Sequence, residues 1–374
     1  FMPMNVMRHG LYIHDSIGAG VHFRQSLDDP STTEISFFTT DSLPISTSTV
    51  QNIERLFFRE NFRRVDVSEI GEIIEKPNLK TLYLDRMFSL LDRNCFKRSK
   101  MNVAVDLMYG VTSDVYPQVI NALEVDNIIL NAYWDDKKLS RLYIDREKAK
   151  ETLGNIVKNL NLDAGFMIYP NGLRLKIITD GGEAVSSHQA LLMILTLAEG
   201  SDDIRRGYLP AWAPDWMNGM FGNLEIVYGK TGGLSAKEMQ AFDLIADVND
   251  QYIFTAFGLH SDSIFASAKI LEMAAKQHLK LSWVLEKTRS SVYYEKHPIA
   301  CPESAKGKMM RRFSEYAKGH EVLHIEGIRV DLEAQCWVLM LPDPHEDLLH
   351  LTIQAPSAER GEALFLEYSA LLKS

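Results

Sequence analysis

Short apolar runs alternate with amphipathic stretches along most of this chain, and that alternation constrains its fold more than any other feature. Asn102-Val103-Ala104-Val105-Asp106 is one such run, closed by a carboxylate. A helical stretch over about residues 114–123 follows, and then the run Asn127-Ile128-Ile129-Leu130. Strand–helix–strand order of this kind predicts α/β layers. Residues 163–168 read as a further buried strand, and the turn Pro170-Asn171-Gly172 predicts residues 174–178 as its hairpin partner. Residues 187–198 are apolar at helical spacing, so the region reads as one doubly wound unit.

A second unit opens with Gly207-Tyr208-Leu209-Pro210-Ala211-Trp212. It runs through a helical stretch to the strand Glu225-Ile226-Val227-Tyr228 and ends at Lys230-Thr231-Gly232-Gly233. An amphipathic helix is predicted over about residues 262–275, with Asp262 as its N-cap. The tail differs. Residues 328–332 alternate, 336–341 are apolar, 349–353 alternate again, and a helix follows from Ser357. Several strands followed by a helix predict a small antiparallel α+β domain.

The length of 374 residues calls for two to four domains. No apolar run is long enough to span a bilayer and no secretion leader is evident, so a cytoplasmic protein without membrane contact is expected. A net charge of -10 without a dense basic stripe disfavours nucleic acid. Cys95, Cys301 and Cys336 lack metal spacing and read as buried, reduced thiols. The opening Phe1-Met2-Pro3-Met4 falls in the middle of an apolar stretch, which suggests a piece of a longer protein.

Several segments together resemble the α-D-phosphohexomutases, the phosphoglucomutases and phosphomannomutases. Glu326-Gly327-Ile328-Arg329-Val330-Asp331 followed by Trp337-Val338-Leu339 resembles the opening of that family's last domain. Cys301-Pro302 with Ala305-Lys306-Gly307-Lys308-Met309-Met310 resembles the run before it, and Asp106-Leu107-Met108-Tyr109-Gly110 the start of the second domain. The resemblance implies an α/β, multi-domain fold: three α/β/α sandwich domains, the first truncated at its start, and a C-terminal antiparallel α+β domain. The boundaries would be 1–98, 99–200, 201–298 and 299–374. An exposed apolar face is expected where the first domain is truncated. Glu54-Arg55-Leu56-Phe57-Phe58-Arg59-Glu60 with Phe62-Arg63-Arg64 is similar to the mutase-like half of bacterial mannose-1-phosphate guanylyltransferase fusion proteins.

Mutase chemistry of this family needs a phosphoserine, a magnesium site, a sugar clamp and a phosphate clamp. The resemblance places the serine loop on Gly20-Val21-His22-Phe23-Arg24-Gln25-Ser26-Leu27-Asp28-Asp29-Pro30, with Ser26 as the nucleophile or simply as a solvated loop serine. Leu27 replaces the family's histidine, and Asp28 and Asp29 would repel a phosphate. The positions of three metal-binding aspartates become Tyr169, Asn171 and Leu173, which offer no carboxylate. Arg174 matches a family arginine. The Gly-Glu-x-Ser-Gly-His sugar loop is not found near 250–260, where Asp250 or His260 could contact a sugar or serve as a cap or turn residue. The phosphate loop becomes Leu341-Pro342-Asp343-Pro344-His345-Glu346-Asp347, acidic and without the family's arginine.

The expected site is therefore Ser26 as catalytic residue, with Arg24, Arg174, Lys230, His260 and His345 toward sugar or phosphate, and no metal ligands. With its loops rewritten, the chain is expected to be a catalytically impaired mutase-like module. It would serve structurally or in regulation for a fused sugar-1-phosphate nucleotidyltransferase, with no cofactor. The alternatives are an active phosphosugar mutase using Ser26, which alone would call for magnesium, and a non-catalytic sugar-phosphate sensor. A hexose phosphate and a homo-oligomer are the other partners considered.

Overall fold

A computed structural model describes residues 2–14, 16–26, 32–75, 78–135, 137–139, 145–217, 219–230, 232–343 and 347–373. In chain order the elements are α1 (Met4–Ile13), β1 (Gly20–Gln25), β2 (Thr33–Phe38), α2 (Thr47–Phe58), α3 (Leu79–Leu90), α4 (Arg93–Ser99), β3 (Asn102–Asp106), α5 (Tyr116–Ala122), β4 (Asp126–Leu130), α6 (Arg146–Asn159), β5 (Ala164–Ile168) and β6 (Leu175–Thr179). They continue with α7 (Ser187–Glu199), β7 (Arg206–Pro210), β8 (Glu225–Gly229), α8 (Ala236–Met239), β9 (Leu244–Ala246), β10 (Tyr252–Phe254), α9 (Ser263–Gln277) and α10 (Leu281–Thr288). The tail comprises β11 (Tyr293–Ala300), α11 (Glu303–Tyr316), β12 (Glu321–Leu323), β13 (Ile328–Glu333), β14 (Cys336–Pro342), β15 (Leu348–Ala355) and α12 (Ala358–Lys373). The chain divides into two compact units, residues 1–184 with 251–280, and residues 185–250 with 281–374.

The first unit is built on the sheet β4–β3–β5–β6, in which β3 runs parallel to β4 and β5 while β6 is antiparallel to β5. Every residue of β5 and β6 is buried, as expected of apolar strands covered by helices. Helix α6 seals one part of the core through Leu153 and Val157 against Ala104, Met108, Met167 and Ile178. Helix α9 also packs on β5 and β6. It is capped as its sequence predicts: Asp262 Oδ1 accepts from the N–H groups of Ile264 and Phe265, each at 2.9 Å. The two strands nearest the start, β1 and β2, form only an antiparallel ribbon pairing Phe23 with Ile35 and Arg24 with Glu34.

In the second unit β9, β7 and β8 are parallel neighbours. The helical stretch expected between Trp212 and Glu225 is only a single 3-10 turn, Asp215–Met217. Gly222, together with Asn223, donates its N–H to Glu199 there, which holds the segment as a loop. The tail forms the antiparallel sheet β11–β15–β14–β13–β12, expected in outline from its alternating runs. Helices α11 and α12 bury Phe313, Leu364 and Tyr368 against Val330, Val338 and Ile353. Cys95, Cys301 and Cys336 are buried and unbridged. Among the described residues no helix is long and apolar enough to cross a membrane.

Candidate functional site

Helix α1 supports β1 from below, and Gly20 permits the approach: a Cβ there would lie 2.4 Å from Leu11 Cδ1. The strand then carries His22, Arg24 and Gln25 along a cavity of about 750 Å³. Ser26 follows at the end of β1, half-buried, its N–H donating to the Thr32 carbonyl at 3.0 Å, and Thr32 also lines the cavity. Arg24 is held by Glu34, which accepts from Nε at 2.7 Å and also from Nη2. Its remaining nitrogen, Nη1, is buried with no hydrogen-bond partner. Burial lowers the His22 pKa, so the ring is biased toward its neutral form; the Met2 carbonyl opposes that shift and the Arg24 charge adds to it.

The far wall of the same cavity is the turn at Pro170 and Asn171. Gly172 takes φ +73°, a conformation suited to glycine, and Asn171 Oδ1 accepts the Leu173 N–H at 3.0 Å. The turn is anchored to the start of α9: the Gly172 carbonyl accepts from Ser263 N at 3.0 Å and Oγ at 2.8 Å. Tyr169, Asn171 and Leu173 thus present no carboxylate, and the one side-chain amide oxygen among them is already engaged. Among the described residues no cluster of three His, Cys, Asp or Glu could hold a metal ion. A hard dication such as magnesium needs anionic oxygens, so this turn does not fit it. Arg174 is exposed and follows the turn, its backbone bridged to Gln251.

His260 lies elsewhere, 1% exposed inside the first unit. It belongs to a buried polar knot that the sequence did not reveal. Tyr83 Oη donates to Asp262 Oδ2 at 2.8 Å, Asn5 Nδ2 donates to Tyr83 Oη at 3.3 Å, and His260 Nε2 stands 3.9 Å from Asp262 Oδ2. His9 stacks on Phe257 with centroids 4.9 Å apart. Neither histidine has a hydrogen-bond partner on its ring nitrogens. Burial lowers the His9 pKa to about 4, helped by the charge of Arg86. It depresses that of His260 further, with Arg8 and His9 adding to the effect. Burial also raises Asp262 to about 6, against the hydrogen bonds it accepts. A residue so placed is a core residue, and the expected sugar contact by His260 is not carried into the site. No spacing rule links residues 9, 83 and 260, so only the cap role of Asp262 was legible.

No family model matches the sequence. Over 377 residues the chain is 25% identical to a protein of Pyrococcus furiosus described as a probable phosphoglucosamine mutase, covering 95% of this chain and 78% of the relative. A solved phosphoglucomutase/phosphomannomutase family protein from Burkholderia thailandensis superposes with a TM-score of 0.78 at 15% identity, covering 100% of this chain and 81% of the other. A solved N-acetylglucosamine-phosphate mutase of the α-D-phosphohexomutase superfamily superposes at 0.58 and 11% identity, covering 99% and 94%. The chain thus shares its fold with solved proteins of the α-D-phosphohexomutase superfamily and is similar in sequence to proteins described as phosphoglucosamine mutases.

Residues 341–347, where the resemblance leads one to expect the phosphate loop, belong to the second unit. Its described acids, Asp343 and Asp347, are engaged internally. Asp343 Oδ2 stands 2.8 Å from His350 Nε2, and the Asp343 carbonyl accepts from Lys306 Nζ at 2.7 Å. Asp347 Oδ1 accepts the Glu303 N–H at 3.0 Å, capping α11. His345 lies outside the described residues. Lys230, at the end of β8, is exposed, and its carbonyl accepts from Tyr208 Oη at 2.8 Å. The most engaged cation of this unit, Arg329, was not singled out from sequence. It donates to Asp215 Oδ2 at 2.6 Å and to Asp331 Oδ1 at 2.8 and 2.9 Å, and stacks over Trp337 at 4.4 Å.

Proposed function

We propose that this chain is a phosphosugar mutase-type module whose hexose phosphate lies in the cavity beside β1, with Ser26 as the phosphoryl acceptor. One observation carries the reading: β1, whose last residue Gln25 directly precedes Ser26, and the turn at Pro170 and Asn171 line a single cavity of about 750 Å³. The segments that the resemblance assigns to the serine and metal loops thus border one pocket, which is large enough for a small ligand. Ser26 Oγ would bond to phosphorus as the sugar oxygen–phosphorus bond breaks, and its proton would pass to the departing sugar oxygen. Arg24 lines the cavity, and its Nη1, buried and without a hydrogen-bond partner among the described residues, would be the donor to a phosphoryl oxygen. Relatives described as phosphoglucosamine mutases support this reading over a purely structural one. The four-part division at 98, 200 and 298 belongs to the same proposal.

A second reading is favoured by the chemistry at positions 169–173, where no carboxylate replaces the metal site. On that reading the module holds a sugar phosphate without turnover and acts as the structural or regulatory half of a sugar-1-phosphate nucleotidyltransferase. A mutase assay on the whole chain with glucose, mannose and glucosamine 1-phosphates, magnesium and a bisphosphate primer separates the two. Turnover that Ser26→Ala abolishes, with phosphate on Ser26 by intact mass, supports the mutase. Folded protein that binds a sugar phosphate but neither turns it over nor becomes phosphorylated supports the second reading and overturns the first.

A further inference from the structure

The proposed pocket holds a second polar atom that the phosphoryl chemistry does not use. His22 and Arg24 lie two residues apart on β1, so strand alternation puts both side chains on one face, between the exposed Val21, Phe23 and Gln25. Both line the cavity of about 750 Å³, and among the described residues they are the only ionisable ones that do. His22 Nε2 stands 3.5 Å from the Met2 carbonyl. A carbonyl only accepts, so that contact places the ring proton on Nε2 and leaves Nδ1 as a bare lone pair. Nδ1 is buried and, like Arg24 Nη1, has no hydrogen-bond partner among the described residues. Much of the surrounding wall is apolar, with Met2, Met4, Met7, Val111, Trp134 and Leu139 on it. An unmade hydrogen bond is costly in such a setting, and a ligand group that completes it is favoured.

We propose that His22 is a specificity-determining residue of this pocket: its Nδ1 accepts from a hydroxyl of the ligand while Arg24 Nη1 donates to the phosphoryl group. The proposal rests on the phosphosugar reading and names what the pocket selects within it. Strand geometry spaces the two residues by about 6.6 Å, the rise of two positions. That span reaches from a phosphoryl oxygen across a hexose ring to a ring hydroxyl. Charge contributes little to the choice. Glu34 already pairs with Arg24, and burial biases His22 toward its neutral form. The pocket therefore takes a hydroxyl-bearing phosphate ester and rejects one whose organic group offers no donor, because that ligand leaves the imidazole lone pair buried and unmet.

Calorimetric titration of the whole chain compares glucose 1-phosphate with cyclohexyl phosphate, a six-membered ring without hydroxyls. The wild type is expected to bind glucose 1-phosphate about 10–100-fold more tightly. His22→Leu should reduce that preference by about 10-fold or more while still binding cyclohexyl phosphate as the wild type does. His22→Asn, whose amide oxygen falls near the place of Nδ1, should keep most of the preference. His22 is only half-buried, so both variants are expected to keep the wild-type circular dichroism spectrum. Equal affinity of the wild type for the two ligands, an unchanged preference in His22→Leu, or a parallel loss of both ligands in both variants would overturn the role of His22 and leave the phosphosugar reading standing. A wild type that binds neither ligand would overturn both.

Discussion

Helices α2 and α9 belong to the same unit and begin in the same way, yet one is left outside it and the other lies at its centre. Each starts with a side-chain cap. Ser46 accepts the Thr49 N–H at 3.2 Å, and Asp262 accepts those of Ile264 and Phe265. Every residue of α9 from Ser263 to Ala275 is buried, and no residue of α2 is. The difference lies in what meets each helix, because propensity and capping alone rarely hold a short helix in water. Helix α9 has a complete sheet and a polar knot to pack on. Helix α2 has an aromatic face and nothing of its own chain to receive it.

The largest test of that contrast concerns the charge buried in α9. Glu272 is 1% exposed. It accepts from Lys269 Nζ at 2.6 Å and from the Asp92 N–H at 2.7 Å, and pairs with Lys276 at 2.9 Å. Removing it takes the carboxylate from a buried ammonium and the acceptor from a backbone donor. Glu272→Ala is therefore expected to lower unfolding free energy by about 3–5 kcal/mol in urea titrations. A loss below about 1 kcal/mol would mean that α9 is as weakly held as α2.

The polar knot next to α9 gives the second test, and its sign can be worked out. The folded-state pKa of His9 falls from the ordinary 6.5 to about 4, and that of His260 falls further. Between those values the unfolded chain binds protons that the folded chain refuses, so stability present above pH 6.5 is lost on acidification. His9 alone accounts for about 3 kcal/mol by pH 4. Asp262, raised to about 6, works in the opposite direction: the folded state takes up its proton first and gains stability as pH falls through that value. Two histidines outweigh one carboxyl, so net stability should fall from pH 7.5 to pH 5. His9→Leu conserves volume, removes two unpartnered ring nitrogens and should flatten that slope while costing little at pH 7.5. An unchanged slope would show that His9 does not titrate on unfolding.

The alternating runs that announced β3, β5, β6, α7 and the tail sheet were legible because burial on both faces, or on one, leaves a period in the sequence. Arg24 and Asn171 could be brought together from sequence only through a family resemblance, since nothing local relates residues so far apart. The knot of His9, Tyr83 and His260 was not legible: His260 was read toward a sugar and the other two as ordinary residues, and only the fold makes them neighbours. The residues around 215–217 failed for the opposite reason, because their apolar spacing suggested a helix while Glu199 draws the Gly222 and Asn223 amides into a loop. The exposed arm, residues 54–64, was visible as a motif, but its exposure depends on what is not packed against it.

A smaller effect comes from the cap of α2. Ser46→Ala removes the Thr49 interaction, which would cost about 1 kcal/mol in a helix coupled to the fold. In a helix that buries nothing, the loss stays local. The global midpoint should move by less than about 0.5 kcal/mol while the amides of 49–52 exchange faster. A full loss of about 1 kcal/mol would couple α2 to the core and erase the contrast with α9.

The smallest thermodynamic effect should belong to Phe58, whose ring is 80% exposed. Phe58→Ser should change unfolding free energy by less than about 0.5 kcal/mol, because so exposed a ring has little packing to lose beyond its contact with Phe57. The same exposure predicts where a protease enters. Arg59, Arg63 and Arg64 lie in the exposed stretch, whereas Lys269 lies inside α9, 3% exposed. Trypsin should therefore cut the arm first and spare α9 until global unfolding, because cleavage follows the free energy of local opening. Cleavage inside α9 at the rate of the arm would mean that its burial does not hold it, and would erase the contrast with α2.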